Sequence, residues 1–301
     1  MQIGLIGLGK MGQAIAHRLL VAGHQVVGFD VDPAAAAAFK QAGGQAADSM
    51  AAVADRVRVI WIMVPAGKPV DDVLAALRSH LQAGDLIIDG GNSHFKDSIR
   101  RCSDVQKINV HFLDCGTSGG VHGKELGFAL MVGGDRAAFA MAAPIFKALA
   151  VGGDCGYAYL GPSGAGHYVK MVHNGIEYAL LQAYAEGFHL LKDGSYKDLN
   201  LEQVCQVWNG GSVVRSWIVE LARQVFERDQ ALTSVGGQIG ENKTGQWAVD
   251  EAHERCVPVK MIEDALAIRA WSRETGGNYA TKVVAMLRHQ FGGHAVKQTK
   301  K

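Results

Sequence analysis

An excess of charge of either sign, long apolar runs, paired cysteines and internal repeats are all missing from this 301-residue chain. With 30 basic and 29 acidic side chains the formal net charge is +1. No global field is therefore available to hold a nucleic-acid backbone or an anionic membrane, and any anionic ligand has to be caught by a local site. Apolar stretches such as Val59 to Ala66, about eight residues, fall well short of the roughly 20 that a membrane-spanning helix needs. The opening run, Met1 to Gly9, has no basic region before it and no small-residue cleavage site after it, and glycines interrupt it, so the expectation is a cytoplasmic protein. The five cysteines (Cys102, Cys115, Cys155, Cys205, Cys256) are odd in number and widely spaced. They form no CxxC pair and have no neighbouring histidine at ligand spacing, which argues against a disulfide frame and against a metal site. Low complexity is confined to Ala34–Ala38, and the lysine-rich end, Lys297 to Lys301, reads as a frayed tail.

What is present is ordinary globular composition, 48% hydrophobic and 20% charged, with length for about two domains. Up to about residue 160, β-branched or apolar runs alternate with Ala- and Leu-rich helical segments: Gln2–Ile6, Gln25–Asp30, Val57–Val64, Leu86–Asp89, Val110–Asp114 and Ala129–Val132. That alternation predicts a mostly parallel sheet covered by helices. Asp32-Pro33 before the alanine run has a capping carboxylate followed by proline at the first helical position. After Gly161-Pro162 the strand-like runs stop and helical periodicity takes over, beginning with a segment from about Gly164 to Asp193, roughly 40 Å long at 1.5 Å per residue. Such a rod is long enough to bridge two domains. The expected architecture is an α/β Rossmann-type domain over residues 1–163, followed by an all-α helical domain over 164–301.

Gly7-Leu8-Gly9-Lys10-Met11-Gly12 follows the first strand and opens a helix. The first glycine suits a tight turn, the second lets a pyrophosphate approach backbone N–H groups, and the third lets the helix pack on the strand. About 20 residues on, the second strand ends in Asp30, placed to accept hydrogen bonds from the adenosine ribose hydroxyls. Its charge repels a 2′-phosphate and no arginine follows in Val31-Asp32-Pro33, so NAD is expected over NADP.

The strongest chemical signal lies in the long helical segment. Lys170, His173, Asn174 and Glu177 stand at i, i+3, i+4 and i+7 and share one face, while Met171, Val172, Ile176, Ala179, Leu180 and Leu181 cover much of the rest. A solvated face with helix-spaced charge pairs is the ordinary explanation of such a stripe. On so apolar a helix, however, the charges are expected to be enclosed, and enclosed charges need a partner or a function. A partly buried lysine can act as a base near neutrality, and a glutamate about 10 Å along the axis can serve as a separate acid. Cys115 to Gly120 reads as a loop after a strand, with Ser118, Gly119 and Gly120 offering backbone N–H groups to a carboxylate. Asn242 to Trp247, with Arg269 further on, offers cations and a hydroxyl able to clamp a phosphate; equally, it is a helix start with surface charges.

Taken together, Gly7–Gly12, Asp89-Gly90-Gly91-Asn92-Ser93, Ser118-Gly119-Gly120, Lys170–Tyr178, Lys243-Thr244-Gly245 to Trp247, and Arg288 to His294 resemble the 6-phosphogluconate dehydrogenases over essentially the whole chain. Several of these features are shared with the wider β-hydroxyacid dehydrogenases; His173, Glu177 and Tyr178 are the narrower signal. The length resembles that family's short, NAD-preferring class, without a duplicated half of the helical domain. The resemblance implies oxidative decarboxylation of 6-phosphogluconate to ribulose 5-phosphate, as in the pentose phosphate pathway. Lys170 and Glu177 are then catalytic. The cofactor set is Gly7, Leu8, Gly9, Lys10, Met11, Gly12, Asp30, Val64, Pro65, Ala66 and Asn92. Asn92, Ser118, Gly119, Gly120, His173 and Asn174 hold the carboxylate and hydroxyls, and Tyr178, Lys243, Thr244 and Arg269 the phosphate. Arg288 and His294 are donated to a neighbouring active site, which implies a homodimer or homotetramer. Two departures stand out: Asn242 where long members carry a lysine two positions before the phosphate-site threonine, and Val121-His122 where an acidic pair usually follows the Ser-Gly-Gly loop. The alternatives are a dehydrogenase of another β-hydroxyacid such as 3-hydroxyisobutyrate, and a nicotinamide-binding sensor without turnover.

Overall fold

The computed structural model describes residues 1–241 and 243–299; the departure at Asn242 lies outside them. Eight strands form one sheet: β1 (Gln2–Ile6), β2 (Gln25–Phe29), β3 (Gln45–Ala46), β4 (Val59–Ile62), β5 (Leu86–Asp89), β6 (His111–Ser118), β7 (Ala129–Gly134) and β8 (Tyr157–Gly161). The helices are α1 (Lys10–Val21), α2 (Pro33–Gln41), α3 (Met50–Ala54), α4 (Lys68–Leu77), α5 (Phe95–Gln106), α6 (Gly123–Leu126), α7 (Arg136–Leu149), α8 (Ala165–Asp193), α9 (Leu201–Gly211), α10 (Trp217–Arg228), α11 (Thr244–Glu254), α12 (Lys260–Thr275) and α13 (Tyr279–Gly292). The chain divides into two compact units, Met1–Met171 and Val172–Lys301, so α8 begins in the first and continues in the second.

In the first unit the strand order is β3-β2-β1-β4-β5-β6-β7-β8. All neighbours run parallel except β6 and β7. The chain winds outward from β1 to β3, then returns to lay β4 on the other side of β1. In open α/β sheets that reversal, at the carboxyl ends of the strands, is where ligands bind. Two apolar layers make this geometry rigid. On one, Leu5, Leu19, Trp61 and Phe146 pack together; on the other, Val53, Ile60, Ile87 and Phe112 do so. Each fully buried side chain of this kind contributes ~1.5–3 kcal/mol before entropy is counted. As expected from Asp32-Pro33, the Asp32 side chain accepts from Ala34 N (2.9 Å) at the start of α2, with Pro33 in its first turn.

The structure corrects the sequence at several edges. β6 runs on through Cys115, Gly116, Thr117 and Ser118, because β7 pairs with it antiparallel as far as Ser118↔Ala129; the loop starts only at Gly119. The structure adds two strands to those the sequence predicts, β3 of only two residues and the edge strand β8, whose Tyr157–Gly161 alternate between half-buried and exposed. The chain end is not frayed as far as Thr299. Gly236 N donates to Lys297 O (2.7 Å) and Thr299 N to Ser234 O (3.0 Å). Lys300 and Lys301 lie outside the described residues.

The second unit is helical. Its core joins Leu181, Ala185 and Phe188 of α8 to α10 through Val225 and Phe226, and to α13 through Val283, Val284 and Leu287.

Candidate functional site

The glycine-rich loop sits at the reversal between β1 and β4, and each glycine meets a different constraint. Gly7 has φ +95°, and a Cβ there would fall 2.3 Å from Met63 O, so only glycine fits the turn. At Gly12 a Cβ would fall 2.0 Å from Gly7 O, which lets α1 pack against the loop. Around Gly9, by contrast, a Cβ would meet nothing within 4 Å. That open position at the head of a 12-residue helix leaves room for a pyrophosphate to reach backbone N–H groups and the positive end of the helix dipole.

Asp30 follows β2 and is already engaged: Oδ2 accepts from Leu8 N (2.5 Å) and Oδ1 from Asp32 N (2.8 Å). It therefore fixes the glycine loop while keeping acceptor capacity for a ribose diol. Val64, just after β4, lies between that loop and the next segment. Its Cγ1 would be 3.1 Å from a Cβ at Gly7, and its carbonyl oxygen 3.1 Å from one at Gly91. Pro65 and Ala66 continue this rim, and Asn92 follows Gly91. Leu8, Lys10 and Met11 complete the loop and the first turn of α1. The residues present thus fit a dinucleotide.

Lys170 belongs to the same unit. Glycines let the start of α8 press onto β6 and β7: a Cβ at Gly116 would fall 2.4 Å from Lys170 Cβ, and one at Gly166 would fall 2.3 Å from Met131 O. Asp114, fully buried, accepts from Gly164 N (2.7 Å) and His167 N (2.9 Å) and so anchors the helix start. Lys170 is 8% exposed, so the stripe expected to be enclosed is enclosed at this position. Lys170 stands beside Gly116, two residues before Ser118, and Gly119 (φ +142°) and Gly120 (φ +53°) turn the chain in conformations that favour glycine.

In the second unit α8 carries His173, Asn174, Glu177 and Tyr178. Asn174 is buried, and its Oδ1 lies 3.0 Å from His173 Nδ1. Two glycines bring neighbouring helices close: Gly175 faces Ala248 and Ile262, and a Cβ at Gly245 would fall 2.4 Å from the Tyr178 ring. Thr244, buried beside Gly245, therefore opens α11 next to Tyr178, whereas Lys243 before it is exposed. The Arg269 guanidinium lies 3.3 Å from the centroid of the Tyr178 ring. Arg269 is 3% exposed, and neither Nη1 nor Nη2 has a hydrogen-bond partner. Burial pushes its pKa down to about 10, and the charge of Arg288 adds to this against the opposing influence of Tyr178 and Glu177. Arg269 and Arg288 thus bring two buried cations together beside Tyr178, a charge arrangement able to receive an anion.

Arg288 is buried, with Nη1 donating to Gly240 O (2.8 Å). The reason is its place on α13, one residue after Leu287 of the helical core. Burial lowers its pKa too, opposed by Tyr178 and Glu177 of the same chain. His294 lies beyond α13 and is exposed. His167, Asp114 and Arg101, none of them in the expected site set, are buried, as is Asp89 of the Asp89–Ser93 motif. A signal existed for the first: His167 precedes Lys170 by three and extends the polar stripe by one turn.

Two family models match in succession, the NAD binding domain of 6-phosphogluconate dehydrogenase over residues 2–161 and the 6-phosphogluconate dehydrogenase C-terminal domain over 166–301. A Haloferax volcanii protein described as 6-phosphogluconate dehydrogenase, NAD(+)-dependent, decarboxylating, is 49% identical over 300 residues, covering 98% of each chain. Among solved structures, Plasmodium falciparum 6-phosphogluconate dehydrogenase superposes with TM-score 0.84 at 28% identity, over 91% of this chain and 62% of that one. Mycobacterium tuberculosis 3-hydroxyisobutyrate dehydrogenase, at 23% identity and TM-score 0.75 over 95% of this chain and 99% of that one, shares the fold.

Proposed function

The chain belongs to the 6-phosphogluconate dehydrogenase family, and from that premise we propose that it oxidises and decarboxylates 6-phospho-D-gluconate with NAD to give D-ribulose 5-phosphate, CO2 and NADH. The observation that carries the substrate choice is Arg269, buried against Tyr178 with both terminal nitrogens unpartnered on the helix pair that also holds Thr244. A phosphate satisfies it; an unphosphorylated hydroxyacid leaves it orphaned. That distinction favours 6-phosphogluconate over 3-hydroxyisobutyrate.

NAD, when bound, supplies the hydride acceptor for C3 of the substrate. Lys170 Nζ takes the proton of the C3 hydroxyl as that hydride leaves, giving the 3-keto acid. The protonated Lys170 then polarises the new carbonyl, the bond to the carboxylate carbon breaks, and CO2 departs with its electron pair left on the enediol. Glu177 delivers a proton to C1 of that enediol. The two groups are seven residues apart on one helix, about 10 Å along the axis, so each addresses a different atom. Ser118, Gly119, Gly120, Asn92, His173 and Asn174 hold the carboxylate and hydroxyls, and Tyr178, Lys243, Thr244 and Arg269 the phosphate.

Arg288 and His294 are donated to a neighbouring active site in this reading, which the exposure of His294 beyond α13 supports. We place the protein in a homodimer or homotetramer. Val169, Val172, Ile176 and Leu180 are 38%, 38%, 51% and 44% exposed along one side of α8, an apolar stripe that a second copy would cover. Initial rates of NADH and NADPH formation with 6-phosphogluconate, gluconate and 3-hydroxyisobutyrate test the assignment. Rapid NADH formation from the phosphorylated acid alone is expected; equal rates from an unphosphorylated acid would move the protein to another hydroxyacid.

A further inference from the structure

None of the steps above uses the histidine one turn before Lys170. His167 is 1% exposed, and both ring nitrogens are engaged: Nε2 lies 3.1 Å from Gly91 O and Nδ1 2.7 Å from Ser98 Oγ. A carbonyl oxygen only accepts, so Nε2 carries the proton, and in the neutral ring Nδ1 accepts from the Ser98 hydroxyl. The backbone of the same residue is held as well, His167 N donating to Asp114 Oδ2 at 2.9 Å.

The segment on the far side of this bond is restrained in its turn. Asp89 accepts from Gly91 N (3.1 Å) and from Ser93 Oγ (2.7 Å), so the residues on both sides of Asn92 are tied to one carboxylate. Arg101, 1% exposed, backs that carboxylate through Nη1 at 3.4 Å and is itself held by Asp71 at Nε (2.8 Å) and by Gly67 O at Nη2 (2.9 Å). Apolar side chains would fill this volume at less desolvation cost, whereas polar bonds fix direction and spacing. The His167 ring thus ties the Asn92 segment and α5 to the Lys170 turn.

We infer that His167 is a positioning residue for the reaction: through the bond from Nε2 to the Gly91 carbonyl it sets the spacing between Lys170 and Asn92. The inference rests on the proton-transfer role of Lys170. Its physical basis is that misplacing a reacting group by about 1 Å costs on the order of 100-fold in rate. Glutamine at 167 can present an amide N–H to the same carbonyl, whereas leucine fills similar volume with no donor.

The test compares His167→Leu, His167→Gln and Lys170→Met with the wild-type protein. The measurements are kcat and KM for 6-phosphogluconate, NADH affinity by fluorescence, melting temperature, and the kinetic isotope effect with substrate deuterated at C3. His167→Leu is expected to lower kcat by roughly 100-fold and to raise the isotope effect, with NADH affinity within about twofold of wild type. His167→Gln is expected to recover most of kcat. If Lys170→Met is inactive while His167→Leu keeps wild-type kcat and isotope effect, the positioning role alone is overturned. If both His167 variants lose kcat, NADH affinity and melting temperature together, the histidine is only structural and the proposal is again overturned. If Lys170→Met turns over at the wild-type rate, the reading beneath it falls first.

Discussion

Replacing Arg269 with methionine separates a binding role from a structural one, because the two predict opposite behaviour of the free protein. The guanidinium is 3% exposed and its pKa falls to about 10. At about 1.4 kcal/mol per tenfold change in proton affinity, burial costs the charged form on the order of 3 kcal/mol. The sign follows from the direction: a base with a lowered folded-state pKa is disfavoured while charged. The cost is therefore present throughout the neutral range and is relieved only above about pH 10. Against it stands the stacking on Tyr178, worth about 2 kcal/mol when desolvated. Methionine removes both and keeps much of the packing, so net stability should change by no more than about 1 kcal/mol, or roughly 2–4 °C in melting temperature. Substrate binding is another matter, since truncating a buried charge that pairs with an anion costs about 2–5 kcal/mol, roughly 30-fold or more in kcat/KM. Thermal melts with and without 6-phosphogluconate, beside steady-state kinetics on 6-phosphogluconate and gluconate, provide the assay. The expected result is an unchanged melt for the free protein, loss of the stabilisation by 6-phosphogluconate, and equalised kcat/KM for the two acids. A melt lowered by about 10 °C with the preference for the phosphorylated acid intact would refute the reasoning.

Other perturbations address the remaining parts of the site. Lys170→Met should abolish turnover while NADH affinity, read by fluorescence, stays within about twofold; residual turnover near wild type would remove the lysine as base. Asp30→Asn keeps an acceptor for one of the two N–H groups now bonded to the carboxylate, Leu8 N and Asp32 N. It gives up a charged hydrogen bond to the ribose, worth about 1.5–3 kcal/mol. KM for NAD should rise about tenfold or more and the NADP rate improve, and unchanged KM values for both cofactors would show that another residue selects the ribose. Gly116→Ala places a methyl 2.4 Å from Lys170 Cβ. Shifting the helix off β6 should cost ~1–3 kcal/mol in denaturant melts and lower kcat in parallel; wild-type kcat would mean that this close contact does not set the position of the lysine.

Much of the site is legible in the sequence wherever its parts are local. Gly7, Gly9 and Gly12 lie within one turn-and-helix unit whose three steric demands differ, and Asp30 follows at the distance that a βαβ repeat imposes. Lys170, Asn174 and Glu177 share a face because the helical period puts them there. What depends on distant pairing is not legible. β6 reaches Ser118 only because β7 runs beside it, and nothing in Cys115–Ser118 announces that partner. His167, Asp89 and Arg101 form one frame only after β5, α5 and the start of α8 are in place. The burial of Arg288 and its bond to Gly240 O likewise depend on α13 packing into the helical core, which the closing segment alone does not announce.

The central claim is that oxidation at C3 and loss of the carboxylate occur on one site, with Lys170 and Glu177 moving protons at different atoms. Its most direct test follows CO2 released from 6-phosphogluconate labelled at C1 against NADH formed, for the wild-type protein and Glu177→Gln. Equal amounts of CO2 and NADH are expected for the wild type, and for Glu177→Gln continued NADH formation with impaired appearance of ribulose 5-phosphate. NADH without CO2 in the wild type, or unchanged ribulose 5-phosphate formation in the variant, would contradict it.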